Sequence, residues 1–168
     1  MKKILLLIFL CSSCVHVVPL KKPYETQAQN LVINNPVQDV RQRFALLAIY
    51  HGYPINNIDQ NTGLITIGQT VFEHGTFERK DGQLANPKAY IVAEKFSNEY
   101  PNRTDKYTFT ARWNQLITPA SGNRTQIRIK LYDIAAFSDD ITLNGKSTGN
   151  FESWLVDQLT EKKQSYTY

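Results

Sequence analysis

Past residue 14 this chain contains no cysteine; its two, Cys11 and Cys14, both lie at the extreme N-terminus. A body without thiols offers no disulfide framework, no thiolate metal site and no cysteine nucleophile. Histidine is scarce as well, with three in all. His51 has no potential ligand three or four residues away, and His74, beside Glu73, belongs to no metal motif. No metal or cofactor is therefore expected. A strong charge of one sign is also missing. Nineteen basic residues face fifteen acidic ones, and without Lys2 and Lys3 the excess falls from +4 to +2. That is too little for nucleic acid, and no basic run is interleaved with aromatics. Ser/His/Asp or paired-carboxylate sites need convergent partners; the scattered histidines and the Asp139-Asp140 pair supply none. No catalytic residue is assigned, and the chain reads as a non-enzyme.

What is present suits a folded domain. A length of 168 residues, 42 % of them hydrophobic and 20 % charged, allows one domain with a real core plus tails.

The first fourteen residues set the compartment. Met1-Lys2-Lys3 precede an apolar run, Ile4 to Leu10, then small Ser12-Ser13, then Cys14. The run is far shorter than the roughly 20 residues of a membrane helix, and residues 1–13 read as a signal peptide. The arrangement resembles bacterial lipoprotein signals, in which small residues precede the lipidated cysteine, and the resemblance implies acylation of Cys14. Cys11 stands where that family usually has Leu. As an acceptor it would follow bulky Ile8-Phe9-Leu10, so Cys14 is preferred. The C-x-x-C spacing lies inside a signal peptide, where redox chemistry has no folded support. Residues 14–29, with Pro19, Lys21-Lys22-Pro23 and a polar run after them, read as a lipid-anchored, extended and mobile tether. Val15 in place of Asp after Cys14 implies, by the same resemblance, an outer-membrane protein facing the periplasm.

Residues 30–168 read as a single α+β domain. Asn35 is a candidate N-cap, Pro36 suits the first helical position, and Asp39 faces the positive end of the dipole. Val37, Val40, Phe44, Leu47 and Ala48 form one apolar stripe, and Gly52 ends the helix in the left-handed region. Ile55 to Asp59 and Leu64 to Gln69 flank a hairpin turn ending in Gly63. Residues 70–87 are turn-rich and read as a loop or irregular hairpin; Ala89 to Ala93 has strand length. Lys106 to Ile117 alternates, with Tyr107, Phe109, Ala111, Trp113, Gln115 and Ile117 on one face. Thr125 to Tyr132 alternates too, with Ile127, Ile129 and Leu131 inward. Leu143-Asn144-Gly145-Lys146 reads as a turn before a second helix from about Thr148 to Lys163. The expectation is an antiparallel sheet of about five to six strands with two helices on one face, in the order β-α-β-β-β-β-β-α.

A symmetric five-residue turn, Pro119 to Asn123, would set Arg112 opposite Lys130 and Asn114 opposite Arg128. Like charges facing each other are mildly destabilising, which makes Arg112, Arg128 and Lys130 a candidate partner-binding face.

The order of elements resembles the helix-grip or TATA-box-binding-like domains of small envelope lipoproteins, such as those of a lipoprotein component of the outer-membrane β-barrel assembly machine. The resemblance rests on the Asn35-Pro36-Val37 helix start, His51-Gly52-Tyr53, Asp59 to Ile65, and Ser147-Thr148-Gly149 to Leu155. It implies a fold and carries over no site residue. Two functions follow as expectations. One is a lipid-anchored periplasmic domain that binds an envelope protein partner; the other is a small-ligand module using a cavity between the sheet and the C-terminal helix. Inward Tyr107, Phe109 and Trp113 favour a filled core, and so the first.

Overall fold

The computed structural model describes residues 15–24, 29–139 and 141–160. Over these the chain is α+β, with two helices and a mostly antiparallel sheet. The strands are β1 (Val17–Val18), β2 (Gln29–Ile33), β3 (Ile55–Asp59), β4 (Leu64–Phe72), β5 (Gly75–Phe77), β6 (Ile91–Ala93), β7 (Lys95–Phe96), β8 (Thr108–Ala120), β9 (Arg124–Ser138) and β10 (Ile141–Ser147). The helices are α1 (Val37–His51) and α2 (Asn150–Thr160). Eight strands join in one sheet, ordered β3-β4-β8-β9-β10-β6-β5, with β2 beside β9; β1 and β7 form a separate ribbon. Among the described strands only β5 and β6 run parallel.

The long hairpin β8–β9 is the spine. Its turn is tighter than the symmetric reading expects: Ala120 pairs with Arg124, so Ser121, Gly122 and Asn123 alone turn the chain. Gly122 and Asn123 both take positive φ, 71° and 57°, which those two residue types tolerate best. The register therefore shifts by two residues, which keeps every side chain on its expected face. Tyr107, Phe109, Ala111, Trp113, Gln115 and Ile117 are all buried, as are Ile127, Ile129 and Leu131.

β9 serves two partners along one edge. Its first half pairs with β2 and its last four residues with β10. Between the halves Asp133 takes φ 49°, and β8 carries a register shift between Thr110 and Arg112. Such irregularities bend a sheet and increase its twist. Beyond the bend β10, β6 and β5 curl round until Gly75 lies against the Phe109 ring, where a Cβ would collide. Phe77 closes the same corner against Tyr107, with ring centroids 5.0 Å apart.

Two local readings change. The expected turn at 143–146 is strand β10. Gly145 sits in it because a Cβ there would press on Ile134 at 2.8 Å and the Val92 carbonyl at 3.3 Å. Helix α1 is capped by Pro36 in an extended conformation with no side-chain cap bond. The Asn35 carbonyl instead accepts from the Thr125 hydroxyl at 2.6 Å. Gly52 does end the helix, at φ 64°. The irregular hairpin expected within 70–87 is present, with Glu78 bridging Leu84 antiparallel, and the segment also holds the end of β4 and all of β5.

Both helices pack on the face bearing Trp113. Its indole meets Phe44 of α1 at 6.0 Å and Phe151 of α2 at 5.1 Å, both edge to face. Its N–H donates to the Thr70 hydroxyl at 3.3 Å, so the buried ring leaves no polar atom stranded. Around it Phe44, Leu47, Ile67, Ile117, Ile127 and Leu155 are at most 1 % exposed. Tyr53 and Phe72 extend this aromatic layer through the space between sheet and α2.

Candidate functional site

Cys11 and Cys14 lie outside the described residues. The tether expected after them is in part docked. Val17 pairs with Phe96 and Val18 with Lys95. The Glu78 carboxylate, 5 % exposed, accepts from the backbone N–H of Lys21 at 2.7 Å and of Lys22 at 3.3 Å. It also accepts the Tyr24 hydroxyl at 2.9 Å; burial, and then this carboxylate, push the Tyr24 phenol well above its ordinary value. Residues 15–24 are thus a strap, held where a mobile linker was expected. Two prolines and few apolar residues signal extension, but they say nothing of a buried acceptor some fifty residues on.

The outward sheet face places Arg112, Arg128 and Lys130 as expected, all exposed. The register dissolves the like-charge pair, Arg112 with Lys130, that singled them out. Arg112 opposes Tyr132 and pairs with Asp133 at 3.6 Å; Lys130 opposes Asn114, and Arg128 opposes Leu116.

The histidines stand in aromatic surroundings. His51 stacks on Tyr53 at 5.4 Å and meets Trp154 edge-on at 5.3 Å; burial lowers its pKa. His74 meets Tyr90 at 5.2 Å. Among the described residues no three His, Cys, Asp or Glu side chains gather as a metal site would need, and no helix is long and apolar enough to cross a membrane.

The site that emerges lies at the β3 end of the sheet. Among the described residues β3 has a single neighbour, β4. An edge strand carries a row of outward N–H and C=O groups that a further strand can match. Beside it runs a groove of about 420 Å³, with Phe44 and Ala45 of α1 on one wall and Ile55, Ile58 and Ile65 on the other. Arg41 and Asp59 mark its polar rim. Each is held in place. Arg41 donates to the Ile117 carbonyl at 3.2 Å, and Asp59 accepts from the Thr62 hydroxyl at 2.7 Å and the Asn61 N–H at 2.9 Å, which lowers its pKa.

Apolar surface continues over the helix. Ile58 is 55 % exposed and Ile49 75 %, with Leu46 and Tyr50 following at helical spacing. One sequence signal pointed here: α1 holds more large apolar residues than its core stripe can bury. The groove itself was invisible, because it depends on which strand ends the sheet.

No family model matches the chain, and no curated protein matches it.

Proposed function

We propose that this protein is a lipid-anchored component of the bacterial cell envelope, acylated at Cys14 and facing the periplasm from the outer membrane. It binds a partner protein and catalyses no reaction. The partner presents an extended, apolar segment that adds as a strand to β3, its alternate side chains entering the groove under α1. The observation that carries this reading is the open edge of β3 beside that groove. An extended segment is the one occupant that satisfies a row of backbone groups and fills a neighbouring apolar slot together. The alternative, a small-ligand module, needs a cavity between sheet and α2. Trp113 and Phe151, 0 % and 1 % exposed, occupy that place, which favours the protein partner.

Two substitutions test the halves separately. Cys14→Ser should abolish labelling by a fatty-acid analogue and leave precursor behind; retained label would end the anchor reading. I55D/I58D should abolish recovery of whichever protein the wild type captures, because two carboxylates cannot be desolvated in the groove. Unchanged recovery would move the partner elsewhere on the surface, the Arg112, Arg128 and Lys130 face being the next to test.

A further inference from the structure

A second cleft, of about 570 Å³, opens beside the strap. Lys21, Lys80 and Lys95 line it together with apolar Val18, Leu20 and Tyr100. The carboxylates in its wall are already engaged. Glu78 holds the strap by three hydrogen bonds. Glu99 accepts from the Lys106 ammonium at 2.8 Å and from the Tyr107 hydroxyl at 3.1 Å. None of the three cleft lysines forms an ion pair among the described residues; the Lys21 ammonium donates only to the Lys80 carbonyl. Burial, and after it the neighbouring charges of Lys80 and Lys21, hold the Lys95 ammonium below its ordinary range, with Glu78 and Glu99 opposing in part. Three lysines with no salt bridge among the described residues are thus set against an apolar wall, their charge offset only in part by Glu78 and Glu99. An anion would relieve their mutual repulsion, and one with an apolar body would cover the wall as well.

Position selects the class of anion. Val18, in the cleft, follows Cys14 by four residues, a span of at most about 14 Å. With the strap docked, an acyl chain on Cys14 would hold this cleft close to the bilayer surface; the inference rests on the lipid-anchor reading at this point. We propose that the cleft binds the phosphate of an anionic phospholipid headgroup, with the lysines on the phosphate and the glycerol end against Leu20 and Tyr100. The protein is then oriented on its membrane as well as anchored to it.

The test uses the chain from residue 14 carrying Cys14→Ser, which keeps every described residue and has no acyl group. It should sediment with phosphatidylglycerol–phosphatidylcholine vesicles and not with pure phosphatidylcholine. K80Q/K95Q should lower that partition about thirtyfold, and K80Q alone about fivefold should the double variant melt early. K88Q/R124Q removes as much charge outside the cleft and should change it far less. Equal losses in the two double variants, or no preference for the anionic vesicles, would overturn the assignment. Saturable binding of inorganic phosphate without any vesicle preference would also overturn it, giving the cleft to a soluble anion. Because no acyl chain is present, failure here leaves the Cys14 labelling result standing, and failure of the labelling leaves this assay unaffected.

Discussion

At one end of the sheet β5 is closed off; at the other β3 stands open. All three residues of β5 are buried, and its own following loop covers it. Ala85 donates its N–H to the Phe77 carbonyl at 3.0 Å, and Asn86 donates to the Thr76 hydroxyl at 3.0 Å. Glu78, next in the chain, then fixes the strap beside it. Four of the five β3 residues are exposed, two of them isoleucines, and the strand contains neither proline nor lysine. Exposed edges invite pairing with other chains, and proteins ordinarily blunt them with prolines, charges or a covering loop. This chain covers β5 with a loop, whereas β3 is blunted only by a register shift between Ile55 and Asn57 and by Asp59 at its end, and no described residue covers it. The difference is the ground for proposing the β3 edge as the docking surface.

Buried polar groups differ along the sheet too, although Thr70 of β4 is satisfied. On the closed side they are satisfied: Glu78 has three donors, and Glu152, 4 % exposed, accepts the Ser147 hydroxyl through both oxygens at 2.7 and 2.8 Å. Toward the open side Gln115, on β8 beside Ile65 of β4, is fully buried, with neither amide atom hydrogen-bonded to a described residue.

The largest effect is expected at the latch. Glu78→Leu strands two backbone amides and a phenol, at a cost of about 3 kcal/mol. It should release the strap, seen as a lower melting temperature and new protease sites within residues 15–24. A loss below about 1 kcal/mol would mean the strap is held mainly by its other contacts, the ribbon with β7 and the Lys21–Lys80 hydrogen bond. Gln115→Met should act in the opposite sense. Removing an unpaired buried amide while keeping its volume should stabilise the fold by about 1 kcal/mol, measured by denaturant midpoint.

Glu152 should reveal itself through pH. Burial raises its carboxyl pKa, the Ser147 bond opposing in part. Between the ordinary value and the higher folded one, the folded chain holds more protons than the unfolded chain. This group's contribution to stability therefore falls as pH rises through that window. E152Q should lack this slope, so that its stability relative to wild type improves from acid toward neutral pH; a parallel pair of curves would contradict the assigned burial. The smallest change in stability belongs to the open end. I55D/I58D alters exposed side chains and should shift stability by no more than about 0.5 kcal/mol, the opposite outcome to Glu78→Leu.

Much of the fold was legible because it is local. The α1 stripe, Gly52, the Gly63 hairpin and the alternation of β8 and β9 each follow from periodicity and turn chemistry within a few residues. What escaped was non-local. Leu143 to Lys146 has turn composition, yet Gly145 answers to the approach of Ile134 and Val92, which the sequence does not bring together. The β5–β6 pairing and the Glu78 strap depend on contacts across tens of residues in the same way. The candidate site was hidden for a related reason: the basic face came from an assumed turn length, and a two-residue shift in register dissolved its one like-charge pair while leaving every side chain on its face. The apolar surplus on α1 was readable, but its meaning waited on the strand order.

The most direct test of the open edge places a photo-crosslinking amino acid at position 58, in the groove, and separately at position 128, on the outward sheet face, in cells making the full chain. Illumination should give one discrete adduct with a single protein from position 58, lost when Ile55→Asp is added, and little from position 128. Adducts from position 128 alone, or equally from both, would contradict the claim that β3 is the surface kept for a partner.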